Sequence, residues 1–196
     1  GGTGGGAGGS IRLDVGTLSG AGRIAANGGD ANSNYNSESG GGGGRIAIYY
    51  GATNGVDFGK VTAYGGTRGS SSTIGGAGTV YVKNTGEALG QLIVDNAPRG
   101  TNTEPTELWA PIDAPLTVKG AKVALFGDVA FAQPVAMTNF VLTHTGAVTA
   151  ATLALANGTW TQNGAATMEA LTLSAVTWNQ QGTAGAENLA WNGGTW

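Results

Sequence analysis

The chain contains no cysteine, so neither disulfides nor thiolate metal sites hold it together. Its five prolines come without a Gly-X-Y period, which excludes collagen and a proline-rich linker. Charged residues make up 11% of the sequence, against a usual ~25%, and a net charge of −3 leaves no basic footprint for nucleic acid. No apolar run approaches the ~18–20 residues a membrane-spanning helix needs, so this segment is not expected to insert in a bilayer. His144 is the single histidine, and no Ser-His-Asp spacing can be built around it. The glycine runs lack the Lys-Ser/Thr of a phosphate loop and precede strand patterns rather than helices, which argues against nucleotide binding.

What the chain does have is glycine, 38 residues of 196, and a repeat. Leu153, Leu155, Thr159, Trp160, Gln162 and Gly164 recur eighteen residues later as Leu171, Leu173, Thr177, Trp178, Gln180 and Gly182. A further row carries Leu189, Trp191, Thr195 and Trp196. An earlier one carries Val135, Met137, Leu142, His144 and Gly146, and before it, with one residue of slip, come Leu116, Val118, Val123, Leu125 and Gly127. One such row cannot bury its own apolar side chains, but rows stacked about 4.8 Å apart set each column over itself. No helical period survives in this stretch, so the pattern predicts an all-β chain folded as a parallel β-solenoid. A right-handed β-helix of ~18-residue coils is the expectation, since parallel crossovers are overwhelmingly right-handed.

The first hundred residues repeat at about 35. Ile11–Val15 aligns with Ile46–Tyr50 and with Val80–Lys83, each after a glycine cluster. A second strand follows each one, at Gly22–Ala26, Gly59–Ala63 and Gly90–Val94. Between them, Asp30–Gly44 and Thr67–Gly78 read as Gly-rich loop insertions on one flank; close-packed polyproline-II-like strands are the alternative, because only glycine lets backbones approach so closely. Tyr35 falls in the first loop, while Tyr49, Tyr50 and Tyr64 read as strand residues. Four prolines between Ala97 and Pro115 interrupt strand pairing. The organisation expected is therefore a Gly-rich solenoid over 1–97, a proline-containing junction over 98–115 and an eighteen-residue-repeat solenoid over 116–196. Immunoglobulin-like domains would need about 100 residues per unit, which the register does not supply. The chain opens inside a glycine run and stops on a repeat column, which reads as a segment of a longer protein.

The motifs at 8–13, 19–29 and 42–50 resemble the Gly-rich repeats of very large bacterial surface and secreted proteins. Asn157–Gly164 and Thr177–Gly182 are similar to coils of filamentous-haemagglutinin-like and autotransporter-like β-helices. The resemblance implies an extracellular or cell-surface stalk or adhesin, and it brings no catalytic residue with it.

Trp160, Trp178 and Trp196 form one column, with Gln162 and Gln180 two residues beyond the first two. Facing inward, the rings are core; facing outward, they make a flat platform for sugar rings whose hydroxyls the glutamines could bond. His144 shares the glutamine column and reads as a member of that ladder. Glu169 and Glu187 also stack, as solvated surface or, less simply, around a bound cation. Gly28-Gly29-Asp30 faintly matches a calcium-binding nonapeptide but occurs once and off-period. Neither a metal site nor a cofactor is expected.

The first functional expectation is thus a non-enzymatic stalk, filament or adhesin segment. A glycan-binding module using Trp160, Trp178, Trp196, Gln162 and Gln180 is the alternative, with a surface polysaccharide or self-association as the partner. A β-helix polysaccharide-degrading enzyme would need clustered acids or bases, which twelve acids and nine bases spread along the chain do not supply. An ice-binding face on Thr159, Thr177 and Thr195 rests on a single threonine column.

Overall fold

The computed structural model describes residues 4–32, 39–68, 73–101 and 104–196. Among these the chain is all-β, with one short 3-10 turn at Phe58–Lys60 that the Asp57 carboxylate caps by accepting from the Gly59 N–H. The N-terminal part supplies β1 (Ser10–Ser19), β2 (Ile24–Ala25), β3 (Arg45–Asn54), β4 (Val61–Thr62), β5 (Thr79–Asn84) and β6 (Gln91–Asp95). Then come β7 (Thr106–Trp109), β8 (Leu116–Lys119), β9 (Lys122–Phe126), β10 (Val129–Phe131), β11 (Val135–Thr138) and β12 (Val141–His144). Three long strands follow: β13 (Val148–Gln162), β14 (Ala166–Gln180) and β15 (Ala184–Thr195). Thirteen strands join one large open sheet, and β2 and β4 pair separately. Among the described strands every pairing is parallel except β5 with β6.

The repeat sets the register. Val135 pairs with Leu153, Leu153 with Leu171 and Leu171 with Leu189, a constant step of eighteen. One row earlier the step is nineteen, Leu116 with Val135 and Val123 with Leu142, so the slip in the sequence is a slip in the ladder. Each row bends at a residue in the left-handed region: Gly120 (φ 56°), Asn139 (50°), Asn157 (53°), Ala175 (52°) and Gly193 (86°). Glycine and asparagine tolerate that conformation, so the bend recurs without strain everywhere except Ala175. Alternation then points Leu171, Leu173, Val176 and Trp178 into a common core with Leu153, Leu155, Trp160 and their counterparts.

The N-terminal strands follow the longer period. Ile11 pairs with Ile46 and Ile46 with Val80, while Ile24 pairs with Val61 in the small sheet. Ile46, Ile48, Val61, Ala63 and Val80 form a second, smaller core. β6 departs from the pattern of β2 and β4: it turns back antiparallel onto β5 and hands the sheet over to β8. The cause is local. β5 stops after six residues where β1 and β3 run for ten, because the Asn84 side chain accepts from the Gly86 N–H and turns the chain early. The expected proline junction likewise contains a strand, β7, which pairs with β9 because Pro105 and Pro111 flank it rather than interrupt it.

The described glycine runs are packed rather than looped, which corrects the loop reading. In the segment 40–44, a Cβ added to Gly40 or Gly43 would strike the carbonyl of Gly66 or Ala63, whereas one on Gly41 or Gly44 would strike that of Gly6 or Gly9. Direction repeats every third residue, the period of a polyproline-II helix. Hydrogen bonds keep the same step: Gly5 and Gly8 donate to Ser39 and Gly42, Gly41 and Gly44 to Gly29 and Ala26, and Gly75 and Gly78 to Gly66 and Ala63. Lateral N–H···O=C bonds thus replace side-chain packing. The remainder of these runs, with Tyr35, lies outside the described residues. Tyr64 sits just past β4 rather than in a strand.

Asp30 staples this layer, accepting from the Thr67 N–H and hydroxyl and pairing with Arg99. The Thr67 N–H, more than any other partner, holds the Asp30 carboxyl below its ordinary range. A carboxylate depressed in the folded state stabilises above its unfolded value of about 3.9 and loses that contribution as pH falls below it. Three substitutions test the architecture. Gly41→Ala should cost about 1–3 kcal/mol through backbone overlap, while Gly9→Ala, with open space around its Cβ position, should stay within about 0.5 kcal/mol. Ala175→Gly should raise stability by about 0.5–1 kcal/mol by relieving the left-handed strain, read as a shift in denaturation midpoint.

Candidate functional site

The tryptophan column is formed, and it points inward. Trp160 and Trp178 are each 1% exposed, their rings parallel within 1° and 4.7 Å apart, the spacing of the strands that carry them. Of the two readings of these residues, the inward one holds, and the alternative outward sugar platform is not made by them. The physical reason is phase: the left-handed residue at Asn157, and at Ala175 one row on, shifts the alternation by one, so Leu153 and Leu155 before the bend and Trp160 and Gln162 after it all enter the core. Only Trp196, 65% exposed and stacked on Trp178 at 4.5 Å, shows a free face. Offset aromatic stacking of this kind contributes about 0.5–1.5 kcal/mol per pair beyond burial.

The glutamine column is a ladder of side-chain to turn bonds. Gln162 Nε2 donates to the Gly146 carbonyl at 2.7 Å, and Gln180 Nε2 donates to that of Gly164 at 2.7 Å. His144 takes the same place one row earlier, with Nε2 2.8 Å from the Gly127 carbonyl and Nδ1 2.8 Å from Gln162 Oε1. These carbonyls belong to a column of glycines, Gly127, Gly146, Gly164 and Gly182, whose backbones touch from row to row. Gln162 is fully buried, so every amide hydrogen needs a partner, and both find one. None of the three is free for a ligand.

Histidine in this column has a consequence next door. Trp178 donates its Nε1–H to Gln180 Oε1 at 3.1 Å, but the corresponding oxygen of Gln162 faces His144. The Trp160 Nε1 is left buried without a partner. Glu169 and Glu187 are exposed, as solvated carboxylates should be, and among the described residues no group of three or more metal-binding side chains gathers.

A concavity with apolar walls and convergent polar groups lies elsewhere, on the outer face of β6 and β8, where Phe58, Tyr64, Asp95 and Lys119 meet. The sequence signal for it is Leu92-Ile93-Val94, a strand apolar on both faces and so covered on both. Neither a protein-family model, nor a curated protein, nor a solved structure matches the chain.

Trp160→Phe removes an orphaned donor, whereas Trp178→Phe removes a satisfied one. The first should therefore cost less than the second, by about 1 kcal/mol, in paired chemical denaturation experiments. His144→Gln, which restores the ladder's repeating residue, should be tolerated within about 1 kcal/mol.

Proposed function

We propose that the chain is a non-catalytic structural segment, a stalk, filament or adhesin element of a large bacterial surface or secreted protein. We read its fold as a right-handed parallel β-solenoid, the C-terminal coils being about eighteen residues long. The observation that carries this reading is the recurrence of whole rows: aliphatic pairs, bend residue, aromatic, polar rung and corner glycine return together in register. A chain selected for chemistry concentrates unlike groups in one place; this one repeats like groups along a line. Its single histidine, the side chain best suited to proton transfer, is held at both ring nitrogens inside the ladder.

The mechanism that follows is mechanical. Rows joined by backbone ladders and side-chain rungs resist separation collectively, and each row released must break its own bonds before the next is loaded. Nine lysines and arginines in 196 residues also leave few sites for trypsin-like proteases, which suits an extracellular setting.

Pulling the chain by its ends tests the reading. Release of the C-terminal part should proceed in increments near one coil, about 60–65 Å of extended chain for eighteen residues. A single all-or-none release of the whole chain would remove it.

A further inference from the structure

Two hollows adjoin on the outer face of β5, β6 and β8, with three lining residues in common. The first, about 200 Å³, is walled by Val61, Val80 and Ile93 and rimmed by Tyr64, Asp95 and Lys119. The second, about 390 Å³, is lined by Tyr50, Leu89 and Pro115, and the two share Phe58, Gln91 and Ile93. At about 30 Å³ per water, the smaller displaces about six or seven waters, the room a single sugar ring needs.

The polar groups around the first hollow keep bonding capacity to spare. Asp95 and Lys119 are register partners on adjacent strands, yet among the described residues they make no ion pair with each other. One Asp95 oxygen accepts from the Ala97 N–H, leaving the other, while the Lys119 ammonium and the Tyr64 hydroxyl bond no described residue. Gln91 donates to Thr117 and keeps its carbonyl oxygen. Burial, with the Asp95 charge second, pushes the Tyr64 phenol above its ordinary value, so it stays an O–H donor. Donors and acceptors of both kinds therefore converge over an apolar floor, with opposite charges that cancel.

We propose that this groove binds a neutral oligosaccharide, one unit seated among Tyr64, Asp95 and Lys119 and the next against Tyr50 and Phe58. A carboxylate and an ammonium side by side can bond neighbouring hydroxyls in complementary sense, while the C–H faces of the rings lie on Ile93 and the aromatic pair, whose centroids are 5.3 Å apart. The cancelled charge disfavours a polyanion. An added peptide strand finds no free backbone, because β5, β6 and β8 are each paired on both sides. The proposal is independent of the structural role above and of the buried tryptophan column.

The test is calorimetric titration of the full chain with cellohexaose, laminarihexaose and mannohexaose, beside hexagalacturonate and a decaproline peptide. At least one neutral hexaose should bind with a millimolar or tighter Kd. Lys119→Met and Tyr64→Phe should each weaken it roughly tenfold or more at unchanged melting temperature, and Trp109→Ala, an exposed aromatic outside the groove, should leave it unchanged. Lys119 is exposed, so its variant remains informative even if Tyr64→Phe disturbs folding. Absence of binding by all three neutral hexaoses, binding indifferent to Lys119→Met, or preference for hexagalacturonate or decaproline overturns the proposal.

Discussion

Everything in the C-terminal part depends on one constraint: a side chain's principal neighbour is its own counterpart a row away. With strands 4.7–4.9 Å apart, any group placed in a column must tolerate a near copy of itself at that distance. Leucine does so by dispersion, tryptophan by parallel stacking at 4.7 Å and glutamine by passing its amide to the turn of the preceding row. Carboxylates, lysine and arginine do not, and none of these is buried in the columns of the core. The scarcity of charge in the sequence is thus a requirement of the stacking rather than a peculiarity of composition.

The N-terminal part meets the same constraint without side chains. Where glycine runs lie side by side as threefold helices, neighbouring backbones close to hydrogen-bonding distance in two of the three directions, and what is stacked is the peptide group itself. This arrangement is exacting, because a single methyl group at Gly41 meets a carbonyl oxygen, yet glycine loses more conformational freedom on folding than any other residue. The side-chain staples around it, Asp30 to Thr67 and Arg99 and Asn96 to Gly65 and Gly75, anchor the layer at its margins.

Much of this was legible in the residues. The eighteen-residue step, its one-residue slip and the 35-residue pairing of Ile11, Ile46 and Val80 are all in the sequence, because stacking makes register and repeat the same thing. The bend column was also written there as Gly120, Asn139, Asn157 and Gly193, but Ala175 breaks its chemistry and hides it. The facing of the tryptophans was not legible from the column alone: periodicity says which residues share a side, and only the packed partners say which side is covered. Glycine runs are harder still. A flexible loop and a polyproline-II bundle draw on the same composition, and the difference lies in contacts between segments distant in sequence. The groove residues carried almost no signal, since Tyr64, Asp95 and Lys119 come from three separate segments.

The groove follows from joining the two modes of stacking. Rows built from backbones repeat at about 35 residues and rows built from side chains at eighteen, so the pairing scheme changes between them. The Asn84 turn solves the mismatch by reversing the chain, so that one antiparallel pairing joins two parallel stacks. The reversal lays the outer face of β6 and β8 beside the glycine layer, whose Gly59, Ala63 and Gly78 have too little side chain to fill the space between. A hollow is left along the seam, lined on one side by small residues and on the other by outward-facing polar groups that a continuous stack would have left in water. Hollows also open within the stacks, as over Ala130, Thr149 and Thr167, but the one at the seam brings a carboxylate, an ammonium and a phenol together.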